Sequence, residues 1–468
     1  MSDLCYSPAH ELRSKILACE ISASELLECF IEQTLRYNPS LNALVTLDLE
    51  GGRKRAAELD ETYRRTGKPE GVLHGLPIAV KDVFAVQGLR TTYGNPYFAK
   101  NVPYQDDILV ERERAAGAVI LGKSNTPDCA SGGRTTNEIF GLSLNPWNPK
   151  KTSSGSGGGG VGALMGGMVS IADGSDIGGS VRSPGAWTNC VGFRPTSGRL
   201  PGLSGSLADG DTSTAGVFTR CVKDAALFME ACDGPDPRSP TPYSSCGKIS
   251  AKATDVLPEG LRACWSPDFA SRDMDTNLLS LFKEHRSVFE DCGLKLSSAE
   301  LDLGENYKKL YKDFNAYSFV KGLPPRILKA GLEERGIKPS IQACIDRYRS
   351  LSAEEILKMF RTREELRVRA QLFMKDHDIV ITPPHNCLAY GAWDLDGEKN
   401  CDWAALYFAP LLGLPSVVVP CGFTDDGMPN GVLITGRAGE DMLVLQVAAA
   451  FERRTEYRKN RPDLNWAN

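Results

Sequence analysis

The sequence predicts an α/β fold: a single large domain with a central mixed β-sheet covered by helices on both faces, plus a helical insertion. Three observations predict it. Short apolar runs that read as strands alternate with amphipathic stretches that read as helices, the pattern of a mixed or mainly parallel sheet. A Lys-, Arg- and Glu-rich helical stretch over 272–375 then interrupts that alternation. After it the β/α pattern returns, so the last elements are expected to rejoin the first sheet. The whole chain, 1–468, is therefore read as one domain, with a core at about 60–240 and 376–455 and a helical variable region at about 272–375.

Residues 7–38 read as two helices, the second opened by Ser22 as N-cap, with Glu25 completing a capping box. NALVTLD (42–48) reads as a strand and 51–66 as a charged surface helix. GLPIAVKDVF (75–84) is a short apolar run whose end carries Lys81 and Asp82. Asp106 and Asp107 start a helix that Gly117 ends, and AVILG follows as a buried strand. From 151 to 206 glycine and serine dominate, yet apolar segments such as VGALMGGMVSIA interrupt them. Small residues in that setting predict tight turns and close packing, not a linker. DIVITPP, PSVVVPCGF and GVLITG read as the late strands, and 439–453 as a helix.

Composition excludes several function classes. With 41% hydrophobic and 24% charged residues, the chain can bury a sizeable core. A net charge of −5 and a pI near 5.8 leave no basic face for nucleic acid. The basic residues Arg453, Arg454, Arg458, Lys459 and Arg461 read as a helix end and solvated tail. No run of about 18 apolar residues predicts a membrane span, and the N-terminus lacks a signal-peptide pattern. The fourteen cysteines are scattered, without C-x-x-C, and read as reduced thiols of a cytoplasmic protein. The five histidines pair with nothing at ligand spacing, so neither metal nor cofactor is expected.

Two phosphate-loop patterns do not fit their contexts. Gly117–Ser124 matches the P-loop spacing, the basis of a nucleotide-binding alternative, but Ala118 to Leu121 is itself strand-like. Gly155–Gly160 contains G-x-G-x-x-G, yet Lys150 to Ser154, not a hydrophobic strand, precede it. A Ser-His-Asp hydrolase is a further competitor. G-x-S-x-G is absent, and His74 and His385 sit in no diagnostic context.

The block NPWNPKKTSSGSGGGGVGALMGGMVSIADGSDIGGSVRSPGAWTNCVGFRPTSGRLPG (145–202) resembles the amidase signature family. GLPIAVKDVF resembles its lysine strand, GAVILGKSNTPDCA the strand and loop that follow, and LGLPSVVVPCGF its late sheet segment. The likeness runs through nearly the whole chain and is weakest over 241–375. It implies a hydrolase of amide-type C–N bonds working through a Ser–cis-Ser–Lys triad. In that triad Ser180 is the acylated nucleophile, Ser156 the proton relay and Lys81 the base.

The residue types suit that chemistry. A serine hydroxyl needs a neighbouring base. Lysine can supply one once burial disfavours its ammonium. Ile177, Gly178, Gly179 and Ser180 are expected to offer backbone N–H groups to an oxyanion. The resemblance further implies that Ser175 helps hold the relay serine. Asp176 and Arg182 are expected to form a buried pair supporting the loop. Ser131, Gly132, Gly133 and Arg134 match the loop that walls the acyl side of the pocket; Arg134 reads equally as a substrate contact or a solvated surface residue.

Ser154 and Gly157 stand where the family usually has Gly and Ser, read here as a change in loop packing; Gly185 for the commoner Ala is a smaller departure. Carbamates and esters fall within the same chemistry. A glutamine-dependent amidotransferase subunit is the alternative from the same family, although 201–240 resembles free-standing amidases more. The partners implied are a small-molecule amide or carbamate and, as in many relatives, a second copy in a homodimer; no nucleic acid and no membrane are expected.

Overall fold

The computed structural model describes residues 3–203, 212–243, 247–270, 273–333 and 337–467. Residues 204–211, part of the segment compared with free-standing amidases, lie outside them. Among the described residues thirteen strands form in chain order. The first five are β1 (Leu44–Leu47), β2 (Pro77–Lys81), β3 (Val119–Ser124), β4 (Thr136–Asn137) and β5 (Gly141–Leu142). Next come β6 (Ile171–Asp176), β7 (Val191–Arg194), β8 (Thr214–Thr219) and β9 (Arg262–Trp265). The last are β10 (Lys295–Ser297), β11 (Ile379–Thr382), β12 (Ser416–Phe423) and β13 (Pro429–Gly436). Strands β4 and β5 make a separate ribbon; the other eleven form one sheet in the order β1-β3-β2-β6-β8-β7-β12-β13-β11-β9-β10.

The sheet is mixed. β2 runs parallel to β3 and β6, β8 runs antiparallel to β6 and β7, and β11, β9 and β10 are parallel again. As expected, the late strands rejoin the first sheet, through β12 against β7. Alternation of side chains across the pleat divides the core between the two faces. Ile78 and Val80 join one cluster, with Ile171, Leu109 and Phe228, while Ala79 joins another, with Ala172, Val161 and Leu164. The same parity sends Lys81 to the face of Ala79 and of the helix Gly158–Met165.

Local signals hold where they are strong. Ser22 caps the helix Ala23–Leu41 with the reciprocal Glu25 bonds of a capping box. Asp107 caps Ile108–Ala115, and Gly117 turns the chain at φ +85° into β3. The helix-rich stretch differs in one respect: it includes β10, at the sheet edge, and the helices Thr276–Glu284 and Arg286–Asp291 pack on the main core through Phe282 and Phe289. Its later helices, Tyr307–Gly322, Pro325–Leu332, Pro339–Ser350 and Ala353–Phe373, build clusters of their own.

One expectation is corrected. Cys387 and Cys401 are joined in a disulfide, because the loop between them folds back until their Cα atoms lie 5.6 Å apart; their spacing carries no motif. The C-terminal basic residues are a helix end and an exposed tail, as expected; Arg453 donates to Thr254 O, Arg454 to Asp291 O, and Arg461 pairs with Asp3. No described helix is long and apolar enough to cross a membrane.

Candidate active site

Lys81 ends β2 in a fully buried position. Its Nζ donates to Ser156 Oγ at 2.7 Å and to Ser175 Oγ at 2.9 Å. Burial pushes the lysine pKa down from 10.5 to about 7, opposed by the charges of Asp173 and Asp176. Asp82 does not act on it. That carboxylate accepts from Thr92 and faces Lys123, consistent with neighbouring strand residues pointing to opposite faces. Ser175, from the end of β6, holds the lysine and is linked to Ser156 through it.

Ser156 precedes the helix Gly158–Met165, and the peptide bond Gly155–Ser156 is cis. Thr135, which the motif reading did not single out, pins this loop: its hydroxyl donates to Ser154 O and accepts from Gly158 N–H. The two departures noted in the sequence have physical explanations. A Cβ on Gly157 would run into the Phe218 ring and lie 2.8 Å from Ser180 O, so the close approach of the nucleophile segment requires glycine there. Ser154 adopts φ +66°, and its Oγ is 2.6 Å from Ser183 Oγ, which in turn lies 2.7 Å from His385 Nε2.

Ser180 lines a narrow cavity with Ser156, Ser175, Ile177 and Phe319. Its hydroxyl makes no hydrogen bond to Ser156 in this conformation. The segment 177–181 is built on Asp176. The carboxylate accepts from Arg182 at 2.8 and 3.0 Å, from Val181 N–H at 3.1 Å and from Gly179 N–H at 3.0 Å. Arg194, from β7, adds a second guanidinium. Burial alone would raise the Asp176 pKa; the two arginines hold it well below the usual carboxylate range instead. Because Gly179 gives its N–H to Asp176, the expected oxyanion donors reduce to Ile177, Gly178 and Ser180. Tyr311, from the helical region, donates to Ile177 O at 3.2 Å.

Ser131, Gly132 and Gly133 line the wider opening beside Ser180; Arg134 does not. Arg134 is neither a substrate contact nor solvated: it pairs with Glu398 at 2.7 Å and donates to Ala392 O. Glu398 also accepts from Gly133 N–H, Tyr390 OH donates to Gly133 O, and Lys338 donates to Ser131 O. None of these braces is adjacent in sequence to the wall they hold, which is why motif reading missed them.

The competing motifs are absorbed into structure. Lys123 is buried and donates to Phe84 O and Thr91 Oγ1, and the residues before it are strand. His74 Nδ1 accepts from Glu70 N–H, and His385 stacks on Trp187. Among the described residues, His10, Cys221 and Asp224 form a metal-capable trio that sequence spacing could not reveal. Both oxygens of Asp224 are already engaged, however, by the N–H groups that start the helix Ala9–Leu17 and by His10 Nδ1.

Known proteins of similar sequence and fold are amidases and amidotransferase subunits. A family model described as Amidase matches residues 25–445. The chain is 30% identical to an acylamidase of Rhodococcus erythropolis over 96% of each chain. It is equally 30% identical to a glutamyl-tRNA(Gln) amidotransferase subunit of Carboxydothermus hydrogenoformans, over 99% of this chain and all of that one. A bacterial aryl acylamidase structure superposes with a TM-score of 0.87 at 26% identity, covering 98% of this chain and 99% of the other.

Proposed function

The chain belongs to the amidase family of C–N hydrolases, and from that premise we propose that it works through an acyl-enzyme on Ser180, with Ser156 relaying protons and Lys81 as base. One observation carries the reading: a desolvated lysine amine 2.7 Å from Ser156 Oγ, at the cavity that Ser180 lines. Unprotonated Lys81 accepts the Ser156 proton as Ser156 takes that of Ser180, whose oxygen then attacks the carbonyl carbon. The developing oxyanion faces the N–H groups of Ile177, Gly178 and Ser180, each worth on the order of 3 kcal/mol in barrier height. As the C–N bond breaks, the relay returns the proton to nitrogen, which leaves as a neutral amine. Water repeats the sequence on the acyl-enzyme, releasing the acid and restoring Ser180. Carbamates and esters fit the same steps.

The described residues lining the cavity at Ser180, among them Cys129, Ala130, Ile177 and Phe319, include no charged side chain. In the wider opening Lys312 and Lys399 are exposed, and Glu398 is already engaged by Arg134 and Gly133 N–H. That environment favours a neutral acyl group over glutamine, which would bring an ammonium and a carboxylate needing counter-charges. We therefore favour a free-standing hydrolase of neutral small-molecule amides over an amidotransferase subunit. The same reading puts the enzyme in the cytoplasm, a reducing medium that suits the eleven unpaired cysteines among the described residues though not the Cys387–Cys401 disulfide, and allows a homodimer.

The purified chain alone is expected to hydrolyse simple aryl or alkyl amides. Ser180→Ala should remove that turnover; activity that survives this change, or that requires glutamine and a partner protein, would overturn the proposal.

A further inference from the structure

Across the sheet from the cavity lies a pair of acidic residues that the reaction does not use. Glu113, on the helix Ile108–Ala115, and Asp173, on β6, are both fully buried. Parity places Asp173 on the face of Ile171, with the helix that carries Glu113. Asp173 Oδ1 accepts from the backbone N–H of Lys81 at 2.5 Å. Its other oxygen, Oδ2, and both Glu113 oxygens have no hydrogen-bond donor among the described residues. The two carboxyl groups nevertheless face each other within hydrogen-bonding reach.

Two ionised carboxylates cannot sit together in such a place. Like charges buried side by side force one of them to take a proton. A single proton between them also supplies what the orphaned oxygens lack, since a protonated carboxyl is a donor. We propose that Glu113 is a neutral carboxylic acid donating to an ionised Asp173, and that this pair is a positioning element for Lys81, fixing its backbone and setting the negative charge its amine feels. The inference rests on Lys81 acting as base.

The surroundings fix which partner is charged. Asp173 receives the Lys81 N–H, and although burial raises its pKa to about 7, that bond and the Lys123 ammonium hold it below Glu113. Glu113 faces Asp173, Lys123 and the carboxylate of Asp107, which caps its own helix. From the neighbouring helix Val222–Cys232, the buried Cys232 thiol is held neutral, its pKa pushed up chiefly by burial. Lys81 itself faces Asp173 and Asp176. Burial and Asp173 both drive the Glu113 pKa well above its ordinary value. Asp173, as the charged partner, raises the Lys81 pKa against the larger, opposing effect of burial. Removing its charge must therefore shift Lys81 to a lower pKa still.

The test compares the whole enzyme with Glu113→Gln and Asp173→Asn, after melting curves establish that both are folded. Infrared difference spectra should show a protonated carboxylic acid band at neutral pH that Glu113→Gln removes and Asp173→Asn retains. In kinetics, glutamine imitates the neutral acid and still donates, so the acidic limb of kcat/KM should stay within about twofold of wild type at each pH. Asp173→Asn should shift that limb to lower pH. A band unaffected by Glu113→Gln, or a limb unmoved by Asp173→Asn, overturns the pair. Failure of the base assignment looks different: the limb would survive replacement of Lys81, whatever the spectra show. If Asp173→Asn does not fold, Glu113→Leu replaces it: loss of the donor should protonate Asp173 and lower the limb in the same direction.

Discussion

Two lysines among the described residues are fully buried in the first half of the chain, and only Lys81 bonds serines that line the cavity. Lys123 is tied to Phe84 O and Thr91 Oγ1 and lies among the acidic residues Asp82, Asp173, Asp107 and Glu113. Lys81 meets only hydroxyls, Ser156 and Ser175, and burial brings its pKa to about 7. Activity through Lys81 needs the unprotonated amine, so kcat/KM should rise with pH, reach half its plateau near pH 7 and level above it. Measured on a neutral amide, a half-point near the ordinary lysine value of about 10.4, or no limb at all, would contradict the role. At this scale Ser180 and Lys81 were legible in sequence, because each sits inside a contiguous motif. Arg194, Thr135 and Tyr311 were not. Each reaches the site from another element, and no local pattern marks a contact made across the sheet.

At the scale of elements, the wall beside Ser180 is a loop held from outside. Ser131 to Arg134 is gripped by Lys338, Tyr390 and Glu398, two of which belong to the segment closed by Cys387 and Cys401. Closing a loop of about 15 residues contributes roughly 3 kcal/mol by restricting the unfolded chain. Cys401→Ser should therefore lower the melting temperature. It should also raise KM more than it lowers kcat, since the wall loosens while Lys81, Ser156 and Ser180 keep their own supports. A drop in kcat with KM unchanged, read from initial rates, would place the loop in the chemistry instead. The strands β9 and β10 show the limit of reading such elements: they are four and three residues long, amid helix-rich sequence. A capped helix such as Ala23–Leu41 announces itself; a short strand is defined by its neighbours.

For the molecule as a whole, one sheet carries the site. Its order sets β2 and β6 side by side, so that Lys81, Ser175 and Ser180 converge although nearly a hundred residues separate the first from the others. The return of the late strands was legible from the resumed alternation, whereas the packing of the helix Tyr307–Gly322 against the site was not, because amphipathic helices do not name their partners. Elsewhere in the same core, burial against Trp187 lowers the His385 pKa from 6.5 to about 3. Unfolded, this imidazole takes up its proton near 6.5; folded, it does so only near 3. Stability is thus lost as the pH falls through that window, by up to about 1.4 kcal/mol per unit. His385→Asn should make the melting temperature fall less steeply between about pH 6.5 and 3. An unchanged slope would show that His385 does not hold that neutral, buried state.

The central claim is that Ser180, activated through Ser156 by unprotonated Lys81, takes the acyl group. The most direct measurement is peptide mapping by mass spectrometry after reaction with a phosphonate reagent, repeated from acid to alkaline pH. The account predicts a single adduct, on Ser180, forming at a rate that rises with pH to half its plateau near 7 and loses that rise in Lys81→Ala. An adduct on Ser156, Ser154 or another residue would contradict it, as would labelling of Ser180 indifferent to the loss of Lys81.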